Sequence, residues 1–151
     1  MNKKVLNKKN NLEINFVKVD ATENQIKILY SLLKNRVHNI SHVKIPKYNQ
    51  HASFVLSNPY NNWYIIYESK NPIGSLYTKY DNSIGLNITK QNKEIIRKIV
   101  NFINHTLQPN ISKPSEIPTY FYINVPASNL KLQKILNELN INFIQLSYKL
   151  N

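Results

Sequence analysis

The chain contains only two glycines among its 151 residues, and both lie in one stretch with the composition of β-structure. This stretch runs from Trp63 to Thr89, and Gly74 and Gly85 each sit inside a short apolar run. Glycine lets a backbone come close to another group. Two glycines on neighbouring strands therefore indicate either a cleft at this place or close strand packing, a β-bulge included.

The stretch divides into three runs that are rich in β-branched and aromatic residues. The runs are Trp63–Tyr67, Ile73–Tyr80 and Ile84–Thr89. Turn-forming clusters at Lys70–Pro72 and Asp81–Ser83 separate them. The pattern predicts a three-stranded antiparallel meander.

Length and composition predict one globular domain. A chain of 151 residues that is 42% hydrophobic can bury a substantial core. We expect residues 1–11, which include four lysines, to be a flexible basic arm and residues 12–151 to be the domain. With no cysteine, no membrane-length apolar run and no signal-peptide core, we expect a cytoplasmic protein without disulfides.

The formal charge of +12 favours an anionic partner. Nucleic acid, anionic lipid and a phosphorylated small molecule all fit that charge. Nearly all the cations are lysines, and Arg36 and Arg97 are the only arginines, whereas phosphate and guanine recognition prefers arginine. Tyrosines and lysines that interleave over residues 64–80 could hold single-stranded nucleic acid, but core packing explains those tyrosines better. Nucleic-acid binding is therefore a third hypothesis only.

The first part of the chain reads as a strand followed by two helices. Leu12–Val19 alternates as a strand, and Thr22 and Gln25 form a capping box that begins a helix ending near Arg36–His38. A short second helix is predicted at His51–Leu56, between two prolines. The residues at helical spacing in the first helix are Ile26, Leu29, Tyr30, Leu33 and Val37.

The part after the meander predicts helix, strand, helix and strand. Lys93–Asn104 has an apolar face of a helix, and Tyr120–Val125 reads as a strand. Ser128 can cap the next helix, and Ile141–Leu150 alternates as a half-buried last strand. The core stripe of that last helix is Leu132, Ile135, Leu136 and Leu139.

The order β-α-α-β-β-β-α-β-α-β predicts an α/β fold with a mixed sheet and helices on both faces. The helical crossover between the strands at 84–89 and 120–125 makes that pair parallel. Ligands in such sheets bind at the carboxyl ends of strands, where the next helix presents free N–H groups. Here that place is Thr89–Lys93, which is either a phosphate site or a solvated turn.

Short motifs that occur in order between Ile14 and Leu150 resemble the GNAT acyltransferases, and several look closer still to a subgroup of N-acetyltransferase-like proteins. The resemblance implies transfer of an acyl group from acetyl-CoA, or another acyl-CoA, to a small amine, without a metal. Some enzymes of that appearance modify amino sugars, so an amino sugar is one expected acceptor. The motifs are Asn39-Ile40-Ser41-His42, Pro46, His51 with Phe54-Val55, Ser57-Asn58-Pro59-Tyr60, Trp63-Tyr64-Ile65-Ile66, Ile73-Gly74, Tyr77, Ile84-Gly85, Ile123-Asn124-Val125-Pro126 and Ile144-Gln145.

The resemblance also implies which residues meet the coenzyme. The strand residues Leu86–Ile88 would run beside the pantetheine arm, Lys90–Glu94 would face the diphosphate, and Asn129 matches an asparagine found near the coenzyme. The whole expected set is Leu86, Asn87, Ile88, Thr89, Lys90, Gln91, Asn92, Lys93 and Asn129.

Three positions depart from the GNAT pattern. The glycine-rich diphosphate loop, Q/R-x-x-G-x-G/A, is replaced by TKQNKEIIRK after Ile88. The tyrosine that protonates the leaving thiolate falls at Leu136, and the usual Gly-Phe reads Asn142-Phe143. Weaker coenzyme binding is expected, since those glycines let backbone N–H groups converge on phosphate. A GNAT-fold module that binds without catalysis is accordingly the second hypothesis.

Acyl transfer to an amine needs a base, a donor for the oxyanion and a leaving thiolate. A strand N–H near Asn87 could be the oxyanion donor. The base candidates are His51, His42, Glu68 and Tyr77, and histidine suits neutral pH best. Each has a structural alternative: a helix cap for His51, a loop hydrogen bond for His42, a solvated strand end for Glu68 and sheet packing for Tyr77.

Other chemistries lack their motifs. His38 and His42 are four residues apart but have no acidic ligand beside them, which argues against a zinc site. With two glycines the chain has neither a P-loop nor a G-x-S-x-G elbow. We expect residues 39–64 to form much of the acceptor side of the site.

Overall fold

The computed structural model describes residues 12–39 and 44–150. The basic arm predicted for residues 1–11 lies outside them. In chain order the elements are β1 (Ile14–Lys18), α1 (Glu23–Lys34), α2 (Tyr48–Leu56), β2 (Asn62–Glu68), β3 (Asn71–Thr78), β4 (Ser83–Ile88), α3 (Lys93–Thr106), β5 (Tyr122–Ile123) and α4 (Leu130–Glu138).

The five strands form one sheet in the order β1-β2-β3-β4-β5. Neighbouring strands are antiparallel from β1 to β4, which confirms the predicted meander. β4 and β5 are parallel, because α3 carries the chain across the sheet between them. The predicted mixed α/β architecture is confirmed.

A separate hydrophobic core covers each face of the sheet. One lies under α3 and α4 and is called the isoleucine core; the other lies under α1 and α2 and is called the second core. The isoleucine core consists of Ile66, Ile73, Leu76, Ile84, Ile88, Ile95, Ile96, Ile99, Ile103, Leu107, Leu132, Ile135 and Leu136. The second core consists of Val19, Ile26, Leu29, Leu32, Val55, Trp63 and Ile65.

The two glycines are explained by close strand packing. The ring of Tyr77 lies directly over Gly85, so a Cβ at position 85 would overlap it. A Cβ on Gly74 would overlap the carbonyl oxygen of Asn87 on the neighbouring strand. Of the two meanings that the sequence allows for these glycines, the structure supports packing.

Helix α1 begins as predicted and ends earlier. Thr22 Oγ accepts from the Gln25 N–H at 3.3 Å, and Gln25 Oε1 accepts from the Thr22 N–H at 3.4 Å, which confirms the capping box. The helix ends at Lys34 rather than near Arg36–His38. Val37 was expected on the apolar face, but it lies beyond the helix end and is 82% exposed.

The later boundaries differ through local hydrogen bonding. α2 begins at Tyr48, before the predicted His51, because the Gln50 side chain accepts from the Lys47 N–H at 3.0 Å. α4 is capped by Asn129 and not by Ser128. The turn between β2 and β3 lies at residues 69–70, so the predicted turn residues 71 and 72 begin β3 instead. Helix α3 continues to residue 106, two residues beyond its predicted end. Strand β5 covers only two of the residues predicted at 120–125.

The predicted last strand, Ile141–Leu150, is wrong. The structure assigns no strand there, and Tyr148 and Leu150 are 81% and 88% exposed. A strand needs a neighbouring strand to satisfy its backbone groups, and no described strand pairs with this segment. Alternation in a sequence identifies two faces, but it does not supply that partner.

Candidate active site

Strand β4 has a full-length partner on one edge and a very short one on the other. β3 pairs with β4 from Ile84 to Ile88, whereas β5 pairs only with Ser83 and Ile84. The last hydrogen bond on the β5 side runs from the Asn124 N–H to the Ile84 carbonyl at 3.1 Å. Beyond Ile84 the two strands separate and leave a fork.

The alternation of the backbone decides which groups face this fork. The Thr89 N–H donates to the Ile73 carbonyl on β3 at 2.8 Å, and the Ile84 carbonyl faces β5. Since backbone groups alternate along an antiparallel strand, the N–H of Asn87 faces β3. The N–H groups of Leu86 and Ile88 face the fork. The amides available to a ligand therefore belong to the neighbours of Asn87.

A cleft of about 820 Å³ opens at the fork. Its walls are one face of α1 with the turn that follows, the free edge of β4, and the loop and first turn leading into α4. The lining includes Lys27, Ser31, Leu32, Arg36, His38, Leu86, Asn87, Ile88, Thr89, Gln91, Asn129 and Lys131.

Hydrogen bonds tie the walls of the cleft together. The Asn87 side chain donates to the Leu32 carbonyl at 3.2 Å and joins β4 to α1. Asn129 is only 4% exposed, and its Oδ1 accepts from the Leu132 N–H at 3.2 Å, which fixes the start of α4. His38 Nδ1 lies 3.0 Å from Ser128 Oγ and joins the turn after α1 to the loop before α4. The cleft is thus held open by specific contacts.

The cleft is electropositive. Lys27, Arg36 and Lys131 line it, and no Asp or Glu is found in its lining among the described residues. Lys27 pairs with Glu23 at 2.5 Å, but both side chains are largely solvated and such pairs are weak. This excess of positive charge in the lining favours a ligand that carries negative charge.

The predicted phosphate-binding segment lies only partly in the cleft. Thr89 and Gln91 line it, whereas Lys90, Asn92 and Lys93 do not. The Lys90 ammonium donates to both carboxylate oxygens of Glu68, at 2.6 and 2.8 Å. The charge of Lys90 is therefore largely committed to Glu68.

The start of α3 is capped in part. Asn92 Oδ1 accepts from the Ile95 N–H at 2.9 Å, and the Asn92 carbonyl accepts from the Ile96 N–H at 3.1 Å. The N–H groups of Lys93 and Glu94 have no partner within the helix. Lys93 also pairs with a glutamate of α4, Glu138, at 3.6 Å. Two helix amides thus remain for an anion, with less support from neighbouring lysines than the sequence predicts.

The predicted bases are not gathered in the cleft. His51 is buried between α1 and α2, with Nε2 3.3 Å from the Ile26 carbonyl, and this burial lowers the pKa of its imidazole. Glu68 is held by Lys90 outside the cleft lining. His42 lies outside the described residues. These positions do not support His51 or Glu68 as a base that reaches a ligand in the cleft.

Tyr77 belongs to an aromatic cluster beside the cleft. Its ring stacks on that of Tyr60, with centroids 3.9 Å apart. Burial, together with the neighbouring Tyr77, raises the pKa of the Tyr60 hydroxyl. Trp63 crosses Tyr60 edge-on at 4.9 Å, and its Nε1 is buried without a partner among the described residues. The predicted acceptor segment 39–64 supplies Tyr60 and Trp63 to this cluster.

His38 is a site residue that the sequence prediction of bases omits. It lines the cleft, and its Nδ1 is engaged by Ser128, which leaves Nε2 as the other ring nitrogen. In the sequence His38 stands out only as a neighbour of His42. Its position becomes evident only when α1 is seen to end at Lys34, which frees the following turn to enter the cleft.

Two further features of the described residues concern membrane-spanning helices and metal ligands. Within residues 12–39 and 44–150, no helix has both the length and the hydrophobicity needed to cross a bilayer. The same residues contain no cluster of three or more histidine or acidic side chains that could hold a metal ion.

No protein-family model matches the sequence, and no curated protein matches it either. Solved structures do match the fold. An acetyltransferase from Thermus thermophilus superposes with a TM-score of 0.62 at 12% identity, over 85% of this chain and 86% of that chain. The Campylobacter jejuni N-acetyltransferase PseH, in complex with acetyl coenzyme A, superposes with a TM-score of 0.60 at 12% identity, over 89% of this chain and 92% of that chain. These similarities confirm the GNAT-like fold that the sequence predicts.

Proposed function

We propose that this chain, which has the GNAT fold, transfers an acetyl or other acyl group from acyl-CoA to a small amine. The observation that carries the proposal is the fork at β4. It presents unpaired backbone N–H groups to an electropositive cleft that is large enough for an extended ligand. Amino sugars are the first acceptors to test.

The cleft has a place for each part of an acyl-CoA. The amide-bearing pantetheine arm can bond to the free edge of β4 at Leu86 and Ile88, as an added strand would. The diphosphate would lie toward Gln91 and the start of α3, where helix amides are free. Lys27 and Lys131, from opposite walls, would supply counter-charge.

The chemistry requires few groups. The neutral amine attacks the thioester carbon, and the N–H of Leu86 or Ile88 donates to the oxygen that becomes negative. We assign proton removal from the amine to His38 Nε2. The C–S bond then breaks, an amide is formed, and the proton passes from the imidazolium to the thiolate to give free CoA.

Binding of acetyl-CoA can be tested by narrowing the cleft. Ser31 is exposed and lines the cleft on α1, whereas Lys34 is exposed on the same helix and does not line it. We expect acetyl-CoA to bind the native protein by calorimetry, Ser31→Trp to weaken binding at least about tenfold, and Lys34→Trp to leave it unchanged. No heat of binding and no thermal shift with the native protein would overturn the proposal.

Turnover can be measured without background, because the chain has no cysteine to react with a thiol reagent. Release of free CoA thiol in the presence of an amine panel reports acyl transfer directly. We expect His38→Gln to lower kcat by about a hundredfold while acetyl-CoA affinity stays the same. An unchanged kcat in His38→Gln would remove this histidine from the mechanism and return attention to Tyr77 and His42.

A catalytically inactive binding module is the second candidate. Leu136, at the position of the usual GNAT tyrosine, is buried in the isoleucine core and offers no proton to a thiolate. Saturable acetyl-CoA binding without thiol release from any amine would favour this candidate. Salt-dependent binding to oligonucleotides without any response to acetyl-CoA would favour nucleic-acid binding instead.

A further inference from the structure

Arg36 is the most unusual charged residue of the cleft. It follows the end of α1, where its N–H donates to the Leu33 carbonyl at 3.3 Å and fixes the start of the turn. The residue is half-buried and lines the cleft, and its Nε is buried without a hydrogen-bond partner among the described residues. A buried donor without an acceptor is destabilising, so folding alone does not account for the place of this guanidinium.

The protein supplies no carboxylate to Arg36. The chain has only eight acidic residues, and none of them lines the cleft. Four of them pair with lysines: Glu23 with Lys27, Glu68 with Lys90, Glu116 with Lys113 and Glu138 with Lys93.

The surroundings of Arg36 separate it from the diphosphate end. Arg36 follows α1, which packs on the same hydrophobic cluster as Tyr60 and Tyr77, and the stacked rings of these tyrosines lie over Gly85 at the start of β4. The α3 end of the cleft lies at the other end of β4, beyond Ile88. Leu86, whose N–H faces the fork, lies in the segment of β4 between these two ends.

We propose that the acceptor amine carries a carboxylate or phosphate group and that Arg36 binds it. This inference rests on the proposed acyl transfer and names the acceptor class. A guanidinium binds a carboxylate or phosphate through paired hydrogen bonds, which orients the rest of the acceptor. The same positive charges repel polyamines and lower the pKa of the acceptor ammonium, which increases the neutral fraction that can attack.

Matched acceptor pairs test this inference by thiol release. Glucosamine 6-phosphate is compared with glucosamine, and glycine is compared with glycinamide. Spermidine, a polyamine, is the cationic comparison substrate. We expect kcat/KM to be at least about tenfold higher for the anionic member of at least one pair. The pair that shows the preference tells phosphate from carboxylate.

Variants assign the preference to Arg36. Arg36→Gln should abolish the preference for the anionic acceptor, mainly by raising the KM for that acceptor, while acetyl-CoA affinity changes less than about twofold. Lys34→Gln removes an exposed charge outside the cleft, so this variant should retain the preference for the anionic acceptor. Equal or better turnover of neutral or cationic amines, or a preference that survives Arg36→Gln, would overturn the inference while the proposed acyl transfer stands.

A binding measurement covers the case in which no tested amine is turned over. We expect inorganic phosphate or glycolate to bind the protein in the presence of acetyl-CoA by calorimetry, and Arg36→Gln to lose that binding. Absence of both ions from the native complex, or equal binding to Arg36→Gln, would overturn the inference. Failure of acetyl-CoA itself to bind would instead overturn the proposed function.

Discussion

The two faces of the sheet differ in the polar groups that are buried against them. The isoleucine core is built from aliphatic side chains, and polar side chains buried next to it, such as Thr78 and Asn129, are hydrogen-bonded. The opposite face buries Gln25 and His51 and holds two nitrogens without partners among the described residues, Arg36 Nε and Trp63 Nε1. Burying polar groups lowers stability unless they are hydrogen-bonded.

The two unpartnered nitrogens therefore lie on the side of the sheet that carries α1 and α2. The isoleucine core under α3 and α4 keeps β4 in place. The cleft takes its walls from both sides, through α1 on one and the first turn of α4 on the other. Substitutions in the isoleucine core away from the cleft should change stability without changing ligand preference, and those of exposed cleft residues should do the reverse.

The largest stability effect is expected in the isoleucine core. Ile99 is fully buried, so Ile99→Ala should lower the free energy of unfolding by about 2–5 kcal/mol, through lost burial and a cavity. Ile111→Ala is the matched control, since Ile111 is 92% exposed and should change it by less than about 0.5 kcal/mol. Urea unfolding measures both. A cost below about 1 kcal/mol for Ile99→Ala would contradict the assignment of stability to this face.

A smaller effect is expected at Gly85. An alanine there would overlap the Tyr77 ring, and Gly85→Ala should cost about 1–3 kcal/mol of unfolding free energy. Because the clash is with one ring, the cost should fall when Gly85→Ala is combined with Tyr77→Ala. A double-mutant cycle in urea measures this coupling, and strictly additive costs would show that the Tyr77 ring is not what excludes a side chain at position 85.

The smallest effect is a pH dependence from His51. Burial lowers the pKa of this histidine in the folded state below its ordinary value of 6.5. As the pH falls through 6.5, the unfolded chain binds a proton that the folded chain does not, so stability decreases. The decrease levels off below the lowered pKa. His51→Gln should remove this part of the slope in urea unfolding at pH 4 to 8, and an identical slope in the variant would be inconsistent with a buried neutral imidazole.

Sequence periodicity predicted the elements that have partners close by. The meander, the capping box of Thr22 and Gln25 and the parallel crossover follow from local turns, caps and connection lengths. It failed for Ile141–Leu150, where strand formation depends on a distant partner. The sequence left two explanations open for the glycines, and the structure supports close packing, since they admit a ring and a carbonyl oxygen.

The candidate site was harder to predict than the fold. The free edge of β4 was expected, but the register that turns Leu86 and Ile88 toward it is a property of paired strands and cannot be read from one strand. Arg36 and His38 enter the cleft only because α1 ends at Lys34. Because the helical spacing of apolar residues continues to Val37, the sequence predicted a later end for α1.

The proposed function requires that the free edge of β4 binds acetyl-CoA through the amides of Leu86 and Ile88. Hydrogen exchange of these two amides, compared with that of Asn87 in the same strand, measures whether it does. Without ligand we expect Leu86 and Ile88 to exchange fast and Asn87, bonded to β3, slowly; acetyl-CoA should then slow Leu86 and Ile88 at least about tenfold. If both amides are already slow without ligand, or stay fast when acetyl-CoA is saturating, the coenzyme does not bind along this edge of β4.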